Sequence, residues 1–281
     1  MKLPDTVILY QRRDFSTVLN DSFYFLSQNF FPLSKLILFY AGPIILIESL
    51  FLALFQKEFM NPVDLYALAT YLAFYILFFM LSSAIILSIT GNYLLQYKEN
   101  GNQPVSDMHS IIRKSGRDVI RFLFAEIGIM FLILFSSLFF LIPAVYVAIP
   151  VSLIWMTMIQ EGRGFFPALS RSFSLINGYW WRTLALLIIS TLIQGAIGFI
   201  LQVPTQVISF MYSFHQAKGE VVKIPEYLVI GGFFLSGLGQ FFMVITALIV
   251  AFQYYSIVEK KESPDLLGRI DAIKTAGDGI A

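Results

Sequence analysis

The chain has 281 residues, of which 57% are hydrophobic and only 13% charged, with a net charge of +1 and no cysteine. A soluble domain carries about 25% charged residues. The near-zero net charge gives no general attraction for nucleic acid, and the absence of thiols excludes disulfides, thiolate catalysis and sulfur-ligated metals.

The apolar residues gather in runs near the ~20 that a helix needs to cross hydrocarbon, which predicts an all-α integral membrane protein. The first 32 residues contain acids and no leading apolar core, so the reading is of no cleaved signal peptide, with insertion driven by the first span. Asp14 is placed to cap a helix. Phe15, Val18, Leu19, Phe23, Leu26 and Phe30 then form one apolar stripe, predicting an interfacial helix over residues 14–31. The first span covers 33–55, with Glu48 in its later half, and the second 65–90, its helical pattern continuing to Tyr97. KENGNQPV at 98–105 is a loop.

Residues 106–118 form a second interfacial helix and 119–141 the third span, which contains Glu126 and is stopped by Pro143. A short fourth span, 144–159, is kinked near Pro150. A third interfacial helix, 165–180, carries the stripe Phe166, Leu169, Phe173, Ile176 and Trp180. The fifth span is 184–201, followed by a short surface helix within 204–222, and the sixth is 227–255. The region 259–281 reads as a soluble tail. Its possible helix bears Leu266, Leu267, Ile270 and Ile273, an apolar stripe able to dock a partner.

With six spans, 16 of the 19 Lys and Arg fall on one side, leaving Lys57, Lys218 and Lys223 opposite. The positive-inside rule then predicts both termini in the cytoplasm. Shifting residues 19–31 by 150 aligns Ser22 with Ser172, Phe23 with Phe173 and Phe30-Phe31 with Trp180-Trp181. This suggests repeated units, each an interfacial helix followed by a membrane hairpin.

Ile142-Pro143, Tyr146, Glu161-Gly162, Ala168-Leu169, Arg171-Ser172, Leu175, Gly178 and Trp180-Trp181 form a recognisable series. It resembles the membrane domain found beside some bacterial glycerophosphoryl diester phosphodiesterases and in related stand-alone six-span bacterial proteins. Ala144 stands where that group usually has Gly. The similarity is specific over roughly residues 140–185. It implies a fold rather than a reaction, because the phosphodiesterase active site belongs to a separate soluble domain.

Glu48 and Glu126 are the acids expected at hydrocarbon depth, where an ionised group marks a solute path or a buried partner. At 1.5 Å per residue they lie ~22 and ~10 Å from the cytoplasmic edge. Gln194 and Gln240 are the other polar candidates near the midplane. Arg113, Lys114, Arg117, Arg163 and Arg171 are candidates for lipid headgroups, or serve topology alone. The glycines at 231–239 and 195–198 suit close helix packing or a hinge. His109 and His215 fall on opposite sides, and HExxH, GxSxG and a phosphate-binding loop are all missing. No cofactor or metal is implied, and an enzyme is not expected. The first expectation is a non-enzymatic scaffold that organises membrane lipids or partner proteins. The alternative is a transporter or lipid-handling protein with a cavity near Glu48 and Glu126.

Overall fold

The computed structural model describes residues 6–55, 65–105, 107–219 and 225–263. All regular structure among them is helical. The elements are α1 (Phe15–Tyr40), α2 (Gly42–Leu54), α3 (Leu65–Glu99), α4 (Met108–Ser137), α5 (Leu141–Val151), α6 (Ile154–Gln160) and α7 (Phe165–Ile176). They continue with α8 (Trp180–Ala217), α9 (Glu226–Leu238), a 3₁₀ turn (Gly239–Phe242) and α10 (Met243–Glu262). Five segments are long and apolar enough to cross a membrane: α3, α4, α5 with α6, α8, and α9 through α10. The pair α1–α2, bent by 51°, makes a sixth if counted as one span.

Three expected boundaries differ from the sequence reading. The segments 14–31 and 33–55 meet inside α1, which runs through Pro32 with a kink where Asn29 leaves helical geometry (φ −109°, ψ 16°). A proline ring clashes with the carbonyl four residues earlier, and the Asn29 side chain holds the resulting kink. Its amide donates to the Phe25 carbonyl at 2.9 Å, and its oxygen accepts from the Tyr93 hydroxyl at 2.7 Å. The segments 106–118 and 119–141 are one helix, α4, ending at Ser137. The fifth span does not stop at 201, because α8 continues through Pro204 to Ala217, and the separate surface helix disappears. An amphipathic stripe that keeps its 3.6-residue period gives the chain no reason to break where it enters hydrocarbon. Proline inside a membrane helix is tolerated where neighbours re-satisfy the freed backbone.

The expected amphipathic stripes divide between the bundle, where Phe15, Val18, Leu19, Leu26, Leu169 and Ile176 pack, and the outside. In α1 the buried residues are Val18, Ser22, Phe25 and Asn29, while Phe23 and Phe30 are exposed. In α7 they are Ala168, Ser172, Leu175 and Ile176, while Phe166 and Phe173 are exposed. Small side chains let these helices approach the bundle, which leaves the aromatics on the outside. The 150-residue register survives in the burial. Val18 and Ala168, Ser22 and Ser172, and Phe25 and Leu175 are buried at both positions, and Phe23 and Phe173 exposed at both.

α10 is the central post, buried from Val244 to Glu259 with few gaps. α3 packs its second half, from Ser82 to Tyr97, into the interior and leaves Leu65, Tyr66, Phe74 and Leu77 exposed in its first. Close approach needs small residues at the crossing: a Cβ on Gly91 would lie 3.1 Å from the Trp155 ring.

One end of the bundle is tied by polar contacts around residues 7–13. The Arg13 side chain is wholly buried and bonds Asp21 Oδ2 at 2.6 Å and the carbonyls of Ile8, Leu9 (2.7 Å) and Gln11 (3.3 Å). Its guanidinium also lies 4.9 Å from the Phe252 ring centroid. The Arg13 backbone N–H donates to Ser256 Oγ at 3.1 Å. The Val7 N–H donates to the Tyr97 hydroxyl at 3.0 Å, and Tyr10 sits edge-on to Tyr255 with ring centroids 5.0 Å apart. Arg12 reaches Ser263, Arg182 reaches the Asp14 carbonyl and Lys261 reaches the Ser174 carbonyl, so the ends of α1, α7, α8 and α10 converge here.

Two outcomes follow from this end. Arg13→Ala leaves Asp21 and several carbonyls without their donor, and should lower stability by roughly 3–5 kcal/mol in thermal unfolding of the detergent-solubilised protein. Arg13→Lys should recover only part of that, because an ammonium cannot reproduce the planar fork. Burial, and then the charges of Glu161, Glu262 and Glu259, push the Tyr10 hydroxyl up to about 12. A neutral Tyr10 therefore contributes stability that is complete below the unfolded value, about 10, and lost as pH rises toward 12. Tyr10→Phe should flatten the stability decline across that window and leave neutral-pH stability nearly unchanged.

Candidate functional site

Glu48 lies on α2 two turns before its end and is only 2% exposed. A carboxyl buried in an apolar bundle requires a donor, and it comes from the break between α9 and α10. There Gly239–Phe242 forms a 3₁₀ turn that directs the Gln240 side chain toward α2 and α3. The Gln240 amide donates to Glu48 Oε2 at 2.7 Å, and its oxygen accepts from Ser82 Oγ on α3 at 2.5 Å. This amide orientation is the one that serves both partners. Glu48 Oε1 has no hydrogen-bond partner among the described residues.

Glu48 stands in the wall of a cavity of about 560 Å³ between α2, α3, α8, α9 and the 3₁₀ turn. α8 contributes Thr191, Gln194, Gly195, Gly198, Gln202, Thr205 and Gln206, which recur at steps of three and four and make a polar stripe along an otherwise apolar helix. Tyr75, Ser49 and Ser236 add hydroxyls. Several wall groups are held in place: Gln194 Oε1 accepts from Thr246, which lies outside this wall, at 3.0 Å, and the Thr205 and Ser236 hydroxyls lie 2.9 Å apart. α9 lies close against α2 because Gly237 has no side chain; a Cβ there would lie 2.9 Å from Ile45 Cγ2 and press on Ser49 Oγ. No Lys, Arg or His is among the described residues that line the cavity.

Glu126 is not in this cavity, contrary to the expectation of one cavity near both acids. It lines a second, apolar cavity of about 250 Å³ between α3, α4, α5, α6, α8 and α10. Its Oε1 accepts from Ser83 Oγ at 2.7 Å, and its Oε2 has no partner among the described residues. The neighbouring hydroxyls of Ser82 and Ser83 thus serve different cavities. Three of the four expected intramembrane polar residues, Glu48, Gln194 and Gln240, come together and the fourth stands apart.

Sequence reasoning counted only Gln194 and Gln240 as midplane polar residues, and missed Thr191, Gln202, Thr205 and Gln206. The signal was present as a period on α8, but taking Pro204 as a helix break divided it between a span and a surface segment.

The basic candidates separate into two kinds. Arg163 and Arg171 are paired with Glu161 at 2.6 and 3.0 Å, Arg171 also with Glu262 at 2.5 Å, and Lys114 with Glu99 at 3.3 Å. Glu161 accepts from the Tyr254 hydroxyl as well, at 2.9 Å. Arg113 and Arg117 are exposed and make no ion pair among the described residues. They share an α4 face with exposed Ile120 and Phe124. His109 begins α4 and His215 ends α8, and no three His, Asp or Glu gather among the described residues. Leu266, Leu267, Ile270 and Ile273 lie outside the described residues.

The residues that carry the family resemblance line neither cavity beyond the hairpin they flank. Glu161 joins α7 to α10 through Arg171 and Tyr254. Gly162 and Gly178 hold positive φ of 66° and 84°, a region that disfavours residues with a Cβ. Trp180 stacks on Tyr146 with ring centroids 5.7 Å apart. Comparison with family models, with curated proteins and with solved structures found no match.

The Glu48–Gln240 pair gives a direct energetic test. Gln240→Leu leaves the buried carboxyl without its donor and should cost roughly 1–3 kcal/mol. Glu48→Leu with Gln240→Leu should cost less than the sum of the single changes, because neither partner is then left unsatisfied. A double-mutant cycle by thermal unfolding in detergent should show a coupling of roughly 0.5–3 kcal/mol.

Proposed function

We propose that this chain is a non-enzymatic, multi-pass protein of the bacterial inner membrane that binds and passes a small polar solute through the Glu48 cavity. In this reading it makes six crossings with both ends in the cytoplasm. The three amphipathic segments lie along the cytoplasmic face, and the solute is neutral or positively charged and rich in hydrogen-bond donors. One observation carries the proposal: the nearly fully buried Glu48, one of whose carboxylate oxygens has no partner among the described residues, lines a cavity walled by amides and hydroxyls, with no basic side chain among its described lining residues. An intramembrane carboxyl is costly without a role or a partner. Interrupted helices beside such a site, here the α1–α2 bend and the 3₁₀ turn, are the arrangement found where transporters bind their substrates.

A second reading, a scaffold that organises anionic lipid, is supported by Arg113 and Arg117 above the exposed Ile120 and Phe124. Bases near an anionic surface contribute about 1 kcal/mol each. The resemblance over residues 140–185 fits either reading, since it implies architecture alone.

Thermal unfolding of the detergent-solubilised protein with ethanolamine, putrescine, glycerol, acetate or phosphate separates the readings. At least one amine or polyol should stabilise the protein, by about 2.7 kcal/mol at a hundredfold excess over Kd, and the anions should not. Glu48→Leu, or Gln206→Leu on the opposite wall, should weaken that response. The same solute should enter vesicles that carry the protein faster than vesicles without it. Equal responses to anions and amines, or none to any amine or polyol, would contradict the proposal.

A further inference from the structure

The Glu126 cavity has a different chemistry from the Glu48 cavity and stands independently of it. Its wall is apolar, made by side chains such as Leu87, Phe122, Ile129, Trp155, Met158 and Val250. Two hydroxyls reach it and both are engaged: Ser152 Oγ donates to the Ile149 carbonyl at 2.7 Å, and Thr246 Oγ1 donates to Gln194 at 3.0 Å. Glu126, whose Oε2 has no partner among the described residues, is the one carboxyl group on a lining residue. No Lys, Arg or His is among the described residues that line the cavity.

We propose that this cavity is a binding site for a single-chain lipophilic amine, with the ammonium group on Glu126 Oε2 and the alkyl chain along the apolar wall. A part-buried carboxylate with one neutral hydroxyl as its partner is completed best by a positively charged donor, since charge-assisted hydrogen bonds are shorter and about twice as strong as neutral ones. A largely apolar wall suits an alkyl chain better than a polyol or a diamine. The ligand arrives through the bilayer. α4 and α5, which form two of the walls, carry exposed apolar side chains, among them Phe124, Phe131 and Val145. Ser83 positions the carboxyl through its bond to Oε1, leaving Oε2 for the ligand.

Trp155 lines the cavity, and the chain has only 3 Trp, so Trp180→Phe with Trp181→Phe makes it the sole indole reporter. In nanodiscs of phosphatidylcholine, 12-bromododecylamine should quench Trp155 saturably. The same chain as 12-bromododecanol should require about tenfold more, a difference of about 1.4 kcal/mol. Glu126→Gln should bring the amine close to the alcohol. Ala125→Phe, which keeps the carboxyl and fills the wall, should weaken quenching by both and covers the case in which Glu126→Gln fails to fold. Equal quenching by amine and alcohol, an amine preference that persists in Glu126→Gln, or no saturable quenching at all would overturn the proposal.

Discussion

A carboxyl group inside an apolar bundle must be answered by a donor, and the answer to Glu48 comes from a residue 192 positions away, Gln240. The bond is possible because the last membrane segment is not one continuous helix. The 3₁₀ turn at Gly239–Phe242 offsets α9 from α10 and carries Gln240 toward both Glu48 and Ser82. Gly237 lets α9 close on α2 on the same side. The cavity follows from these constraints: α9 is held to α2, α10 remains in the centre, and the polar stripe of α8 faces the space between them.

The two ends of the molecule have different work. Where Arg13, Glu161 and Arg171 lie, charge is paired with charge and nearly every strong donor has an acceptor within the chain. Arg13 alone ties residues 8–13 to α1 and stacks over Phe252 of α10. Away from that end the bundle opens, with α8 exposing Phe199, Ile200 and Phe210 and the α4–α5 turn exposing Phe139 and Phe140. The unsatisfied carboxylate oxygens of Glu48 and Glu126 lie between the tied end and the open one.

Much of this was legible in the sequence, for identifiable reasons. Apolar runs of span length marked the helices that can cross a membrane, because hydrocarbon thickness acts on the chain locally. Glu48, Gln194 and Gln240 stood out because a polar group in an apolar run is conspicuous in one dimension. What could not be read was partnership. Ser82 and Ser83 are adjacent in sequence, and only the fold sends one hydroxyl to the Glu48 side and the other to Glu126. The α8 stripe was obscured by Pro204, since a proline read with soluble-protein expectations ends a helix and in a packed membrane bundle does not have to. The expected stripes of α1 and α7 divide, with Val18, Leu19 and Ile176 packed on the bundle and Phe23, Phe30, Phe166 and Phe173 exposed. In a bilayer, large apolar side chains are as well satisfied outside the bundle as inside it, so size no longer identifies the core and small residues such as Ala168 and Ser172 do.

The central claim is that α8 presents a wet face to the Glu48 cavity and a dry face to lipid. Thr191 and Leu192 are neighbours at one depth; Thr191 lines the cavity, and Leu192 is exposed on the apolar outside. The chain has no cysteine, so Thr191→Cys and Leu192→Cys each create a single reactive thiol. In intact membranes a water-soluble maleimide should modify the cysteine at 191 and leave the one at 192 unreacted. If both stay unreacted, or both react at the same rate, the cavity is not a solvated site within the membrane and the account fails.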